Sequence, residues 1–142
     1  MSDTPQADRI EGAPHPRETL RVIGQATAEA DFLQAFNSGR LHHGWLITGP
    51  RGVGKATLAW RIARFLLATP PADAGGLFGA PPPPTTLGID PDHPVARHIA
   101  AGAEPGLASI TRTVNEDTKR MRNEIVVPDI RRLNRFFGLT AA

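Results

Sequence analysis

Apolar residues along the chain cluster into short periodic runs divided by polar or Pro/Gly-rich stretches. Between Leu20 and Phe36, the residues Phe32, Leu33 and Phe36 recur at helical spacing and Gly39 supplies a stop, which predicts an amphipathic helix over about Gln25 to Ser38. Gly44-Trp45-Leu46-Ile47-Thr48 is a short apolar run of the kind found in a strand buried on both faces. Beyond the glycine-rich turn that follows, Leu58, Ile62, Phe65 and Leu66 mark the buried stripe of a second helix, ending before Pro70 and Pro71. Leu107 to Thr111 reads as another strand, Ile125-Val126-Val127 as a brief extended segment, and Pro128 as the first turn of a further helix. The apolar face of that helix is Ile130, Leu133, Phe136 and Phe137, with Gly138 as its stop.

Between these runs, residues 70–105 carry the proline run Pro81 to Pro84, Gly75-Gly76 and Gly79, and little periodicity. They read as an insertion or long loop with one helical turn around Val95 to Ala101. Residues 1–19 read as a polar, flexible leader, neither signal nor transit peptide, and residues 20–142 as the folded part. The 142 residues with 40% hydrophobic content suffice for one small packed domain. Net charge is only +2, so nucleic-acid binding cannot be argued from charge alone. Absence of cysteine excludes disulfides, thiolate zinc sites and cysteine nucleophiles. Apolar runs such as Phe65 to Ala68 fall far short of the roughly 20 residues that span a bilayer, so the default is a cytoplasmic protein.

The chemistry concentrates in Gly49-Pro50-Arg51-Gly52-Val53-Gly54-Lys55-Ala56-Thr57. A strand, a glycine loop and a helix opening at a lysine form a P-loop arrangement, in which backbone N–H groups and the helix N-terminus face an anion. The glycines keep side chains out of the cradle, and Lys55 would place its ammonium on the β/γ-phosphates. The pattern calls for Ser or Thr after the lysine, because that hydroxyl ligates the Mg²⁺ bridging the phosphates, whereas this chain has Ala56. Thr57 is one position on, rotated by about 100°, and cannot replace that ligand, though it could bond a phosphate oxygen. ATP binding is therefore expected to be weak or absent, and both Mg²⁺ binding and hydrolysis by this chain are doubtful. A glycine-rich strand-to-helix turn with an exposed lysine is the bland alternative.

Val22-Ile23-Gly24-Gln25, a helix, and the run from Gly39-Arg40-Leu41-His42-His43 through Gly54-Lys55 together resemble clamp-loader AAA+ subunits. Lys55-Ala56-Thr57-Leu58-Ala59 and Val127-Pro128-Asp129-Ile130-Arg131-Arg132-Leu133-Asn134-Arg135-Phe136-Phe137 look like the delta-prime type in the bacterial DNA polymerase III clamp loader. The resemblance implies an α/β, AAA+ P-loop NTPase-type (Rossmann-like) fold, incomplete here, with the Pro/Gly-rich insertion. The Walker B strand, sensors and arginine finger would lie beyond Ala142. It implies a stator-like subunit, not catalytic by itself, in a cytoplasmic, replisome-associated complex. Its partners would be gamma/tau and delta subunits and, through the complex, the sliding clamp and primed DNA. The four-cysteine zinc module found in many such subunits cannot form without cysteine. An active ATPase of the gamma/tau or another AAA+ family is the alternative, and a binding module for an unrelated phosphate ligand is a third.

Arg131, Arg132 and Arg135 form a basic strip on the last helix, either a solvated face or a contact for DNA phosphates or an acidic neighbouring subunit. His15, His42, His43, His93 and His98 lack paired ligand spacing and read as surface or capping residues. Asp90, Asp92 and His93 read as a self-capping turn, with a cation site as the alternative. Trp45 and Trp60 are expected in the core.

Overall fold

A computed structural model describes residues 5–71 and 75–139. The first four positions of the expected leader and residues 72–74 of the expected insertion lie outside the described residues, as do residues 140–142. The elements run as a 3₁₀ turn at Pro16–Glu18, then α1 (Ala26–Asn37), α2 (Lys55–Ala68), α3 (Pro94–Ala100) and α4 (Val127–Leu139). The chain divides into two compact units, one of residues 16–104 and one combining residues 1–15 with 105–142.

In the first unit, α1 and α2 meet through aromatic side chains. Phe32, Phe36 and Phe65 are buried with Leu87, and Leu33, Leu41, Ile62 and Ile89 pack around them. The Phe36 and Phe65 rings stand edge to face with centroids 4.9 Å apart, a preferred aromatic geometry. Helix α2 also packs against α3 and the 3₁₀ turn. Residues Leu87, Ala96 and Ile99, all from the Pro/Gly-rich stretch and its helix, are buried. Helix α3 begins at Pro94, whose missing N–H needs no acceptor at a first turn, and the His93 ring accepts from the Val95 amide at 3.2 Å. Asp90 caps the Asp92 amide at 2.8 Å, so the acidic loop is the self-capping turn its sequence predicted.

In the second unit, Val114 and Met121 form an antiparallel bridge closed by Asn115 N–H to the Arg120 carbonyl at 2.8 Å. The Asn115 side chain caps the Asp117 and Thr118 amides, and Lys119 takes φ 57, so the charged stretch is a tight turn. The buried Asp129 carboxylate opens α4, accepting from the Thr113 hydroxyl at 3.1 Å and from the Val126 amide at 3.4 Å.

Three expectations are corrected. The described residues contain isolated bridges but no strand, so neither Gly44 to Thr48 nor Leu107 to Thr111 forms a ladder among them. The physical reason is that a strand exists only through its partner's hydrogen bonds, and no described segment supplies one. Trp45, placed in the core on the strand assignment, is consequently 45% exposed, in an edge-to-face contact with Phe32 with ring centroids 5.0 Å apart. In the last helix, Val127 is helical and Gly138 does not end α4, which runs on to Leu139.

Candidate functional site

Residues 49–57 form a loop that delivers directly into α2. Gly49, Gly52 and Gly54 take φ 147, 87 and 93, a region that other residues rarely occupy, and this lets the loop reverse tightly before the helix. Gly54 is the N-cap of α2 and brings no side-chain acceptor, and the first intrahelical bond is Leu58 N–H to the Gly54 carbonyl at 2.9 Å. The N–H groups of Lys55, Ala56 and Thr57 thus precede the first helical donor and have no acceptor within the helix. Among the described residues, the Arg51, Gly52, Val53 and Gly54 amides also donate to no protein acceptor. A run of unengaged amides meeting the positive end of a helix dipole suits an anion.

The Lys55 ammonium folds back across the loop and donates to the Gly49 carbonyl at 2.8 Å and the Pro50 carbonyl at 2.5 Å. Both bonds go to carbonyls and neither to a carboxylate, so among the described residues no acid compensates the cation's charge. Ala56 is exposed at the first turn of α2 and brings no hydroxyl there, and Thr57 is half-buried. The loop therefore presents a cation and backbone donors and, at position 56, no oxygen ligand for a metal.

A second layer of contacts holds the loop from the N-terminal side. The Gln25 amide donates from Nε2 to the Val53 carbonyl at 3.0 Å. Val22 Cγ2 lies 2.9 Å from where a Cβ on Gly54 would project, so Gly54 is required by its neighbour as well as by its φ. Arg61 bonds the Glu29 carboxylate and the Leu20 carbonyl. Arg64, only 2% exposed, donates Nη2 to the Arg17 carbonyl at 2.9 Å, while its Nε is buried without an acceptor. Burial, and then the charge of Arg61, lower the Arg64 guanidinium from its ordinary range. The sequence pattern does not mark Gln25, Arg61 and Arg64 as site residues. The one available signal was that Arg61 lies a helical turn from both Leu58 and Phe65 on α2.

Arg131, Arg132 and Arg135 belong to the other unit, where all three are exposed on α4 and none has a hydrogen bond or ion pair among the described residues. The apolar positions Val127, Ile130 and Phe137 of the same helix are exposed as well.

Over 51 residues, 36% of its length, the chain is 41% identical to DNA polymerase III subunit gamma of Buchnera aphidicola subsp. Schizaphis graminum. It is 40% identical over 51 residues to the same subunit of Buchnera aphidicola subsp. Acyrthosiphon pisum. Over an equal span it is 39% identical to DNA polymerase III subunit gamma/tau of Mycobacterium tuberculosis. The matched span covers 14% of either Buchnera subunit and 9% of the mycobacterial one. No family model matches the chain, and no solved structure matches it. These similarities support the clamp-loader AAA+ resemblance and the P-loop within it, without separating the delta-prime type from gamma/tau. No helix of the described residues is long and apolar enough to cross a membrane.

Proposed function

We propose that this protein is a clamp-loader subunit of the delta-prime type, serving DNA replication by holding its place in the DNA polymerase III ring rather than by turning over ATP. The observation that carries this reading is the pairing of Lys55 with Ala56: the loop keeps its cation and free amides but lacks the hydroxyl that a metal-assisted hydrolytic site needs. A triphosphate would draw the Lys55 ammonium off the Gly49 and Pro50 carbonyls and onto its β/γ oxygens, with the amides at positions 51 to 57 supplying the remaining donors. ATP is then a weakly held ligand, and Mg²⁺ finds no protein ligand at position 56.

In this account the partners are gamma/tau and delta subunits, with the sliding clamp and primed DNA engaged through the complex. The exposed strip Arg131, Arg132 and Arg135 offers cations to DNA phosphates or to an acidic neighbouring subunit. Similarity to gamma and gamma/tau chains favours a second reading, an active ATPase of that type. Reconstitution with gamma/tau and delta separates the two. The delta-prime reading expects the protein to co-elute with them, and ATP turnover by the complex to persist when this subunit carries Lys55→Ala. Loss of turnover with that single change would favour the ATPase reading, and failure to assemble would refute both.

A further inference from the structure

Residues 17–25 touch both α2 and the phosphate loop. Two backbone carbonyls of the segment, at Arg17 and Leu20, are taken by the guanidinium groups of Arg64 and Arg61 on α2. Its far end reaches the phosphate loop twice, through Val22 against Gly54 and through Gln25 onto the Val53 carbonyl. The carbonyl of Val53 belongs to the peptide whose N–H is that of Gly54, one of the amides that face no protein acceptor. A donor fixed on that oxygen therefore fixes the plane of a peptide in the anion cradle, since the peptide unit is rigid.

Alternative roles for these residues are weaker. Gln25 is the N-cap of α1 yet makes no capping bond with its side chain, so its amide is not explained by the helix it opens. Arg61 and Arg64 bond carbonyls of the segment, and of the two only Arg61 is paired with a carboxylate, Glu29. Beside the ion pair of Arg61 with Glu29, their bonds to the Arg17 and Leu20 carbonyls hold the backbone of residues 17–20 against α2.

We propose that residues 17–25 act as a strap that sets the conformation of the phosphate loop, anchored by Arg61 and Arg64 and delivered by Gln25 as the positioning residue. This rests on the reading of the loop as a triphosphate site and adds to it that the loop's affinity is set from outside the motif. With Gln25 in place, the Val53–Gly54 peptide is held ready for an anion. Without it, the peptide must be ordered when the ligand arrives, and affinity falls accordingly.

The test uses the whole chain with Gln25→Ala and with Gln25→Met, which keeps close to the side chain's length and loses the donor without adding a charge. Backbone ¹⁵N relaxation needs no ligand and reads the strap alone. The order parameters of Gly52, Val53 and Gly54 should fall from rigid values near about 0.85 toward about 0.6 in both variants, with α1 and α2 unchanged. Titration with ATP should show roughly three- to tenfold weaker binding, as expected for one lost hydrogen bond. Unchanged order parameters in the loop would overturn the strap. A mobile loop in the variants, combined with no ATP binding by the unsubstituted protein, would support the strap and overturn the triphosphate reading.

Discussion

Gly54 meets two constraints at once, a φ of 93 and the Val22 methyl 2.9 Å from any Cβ it might carry. Gly54→Ala should therefore cost about 1–3 kcal/mol of stability, read by urea denaturation, since a non-glycine residue there is strained before any neighbour moves. A variant with an unchanged midpoint would mean that the loop can reverse without a left-handed residue. Two positions on, Ala56 is exposed on the first turn of α2, so a longer side chain meets solvent rather than core. Ala56→Ser should strengthen ATP binding only when magnesium is present, because the gain comes from a restored metal ligand. An equal gain in a chelator would assign the effect to the phosphate instead.

Helix α2 shows how one element joins core and site. Phe65 faces α1 while Arg64, its neighbour, is buried where its guanidinium reaches the Arg17 carbonyl. Arg64→Ala should lose about 2–4 kcal/mol, through both the emptied volume and the orphaned carbonyl, whereas Arg64→Met keeps the stem, discards a buried charge and should lose less than half as much. Equal losses in thermal melts would show that the charge, not the packing, matters. All four helices were legible in the sequence because their evidence is local: apolar residues at helical spacing, a proline start, a glycine stop. The phosphate loop was legible for the same reason, since its glycines and lysine are contiguous. Arg64 was not, because a charged residue beside an apolar stripe reads as solvated until the packing of the 3₁₀ turn and α3 is seen. Neither were Gln25 and Asp129, whose roles depend on the Val53 carbonyl and the Thr113 hydroxyl, far away in sequence. The two apolar runs looked like strands because apolar composition alone shows neither pairing nor burial, and Leu46 is in fact exposed.

Across the whole molecule, large apolar side chains are exposed in both units, with Ile23, Leu46 and Phe78 in one and Val127, Ile130 and Phe137 in the other. Leu46 is 88% exposed on a segment whose backbone pairs with nothing described, which invites edge-to-edge association. Amides of Trp45 to Thr48 should exchange with solvent at nearly unfolded rates in dilute protein, while those of α1 and α2 are protected. Strong protection at Trp45 to Thr48 in a monomer would reveal a ladder that the fold lacks. The functional account stands on the loop at residues 49–57, and a calorimetric titration of ATP into the protein and its Lys55→Ala variant, each with and without magnesium, tests it most directly. Weak binding that magnesium does not improve, and that Lys55→Ala removes, is the predicted result. Binding untouched by the loss of Lys55, or none in the unsubstituted protein, would contradict it.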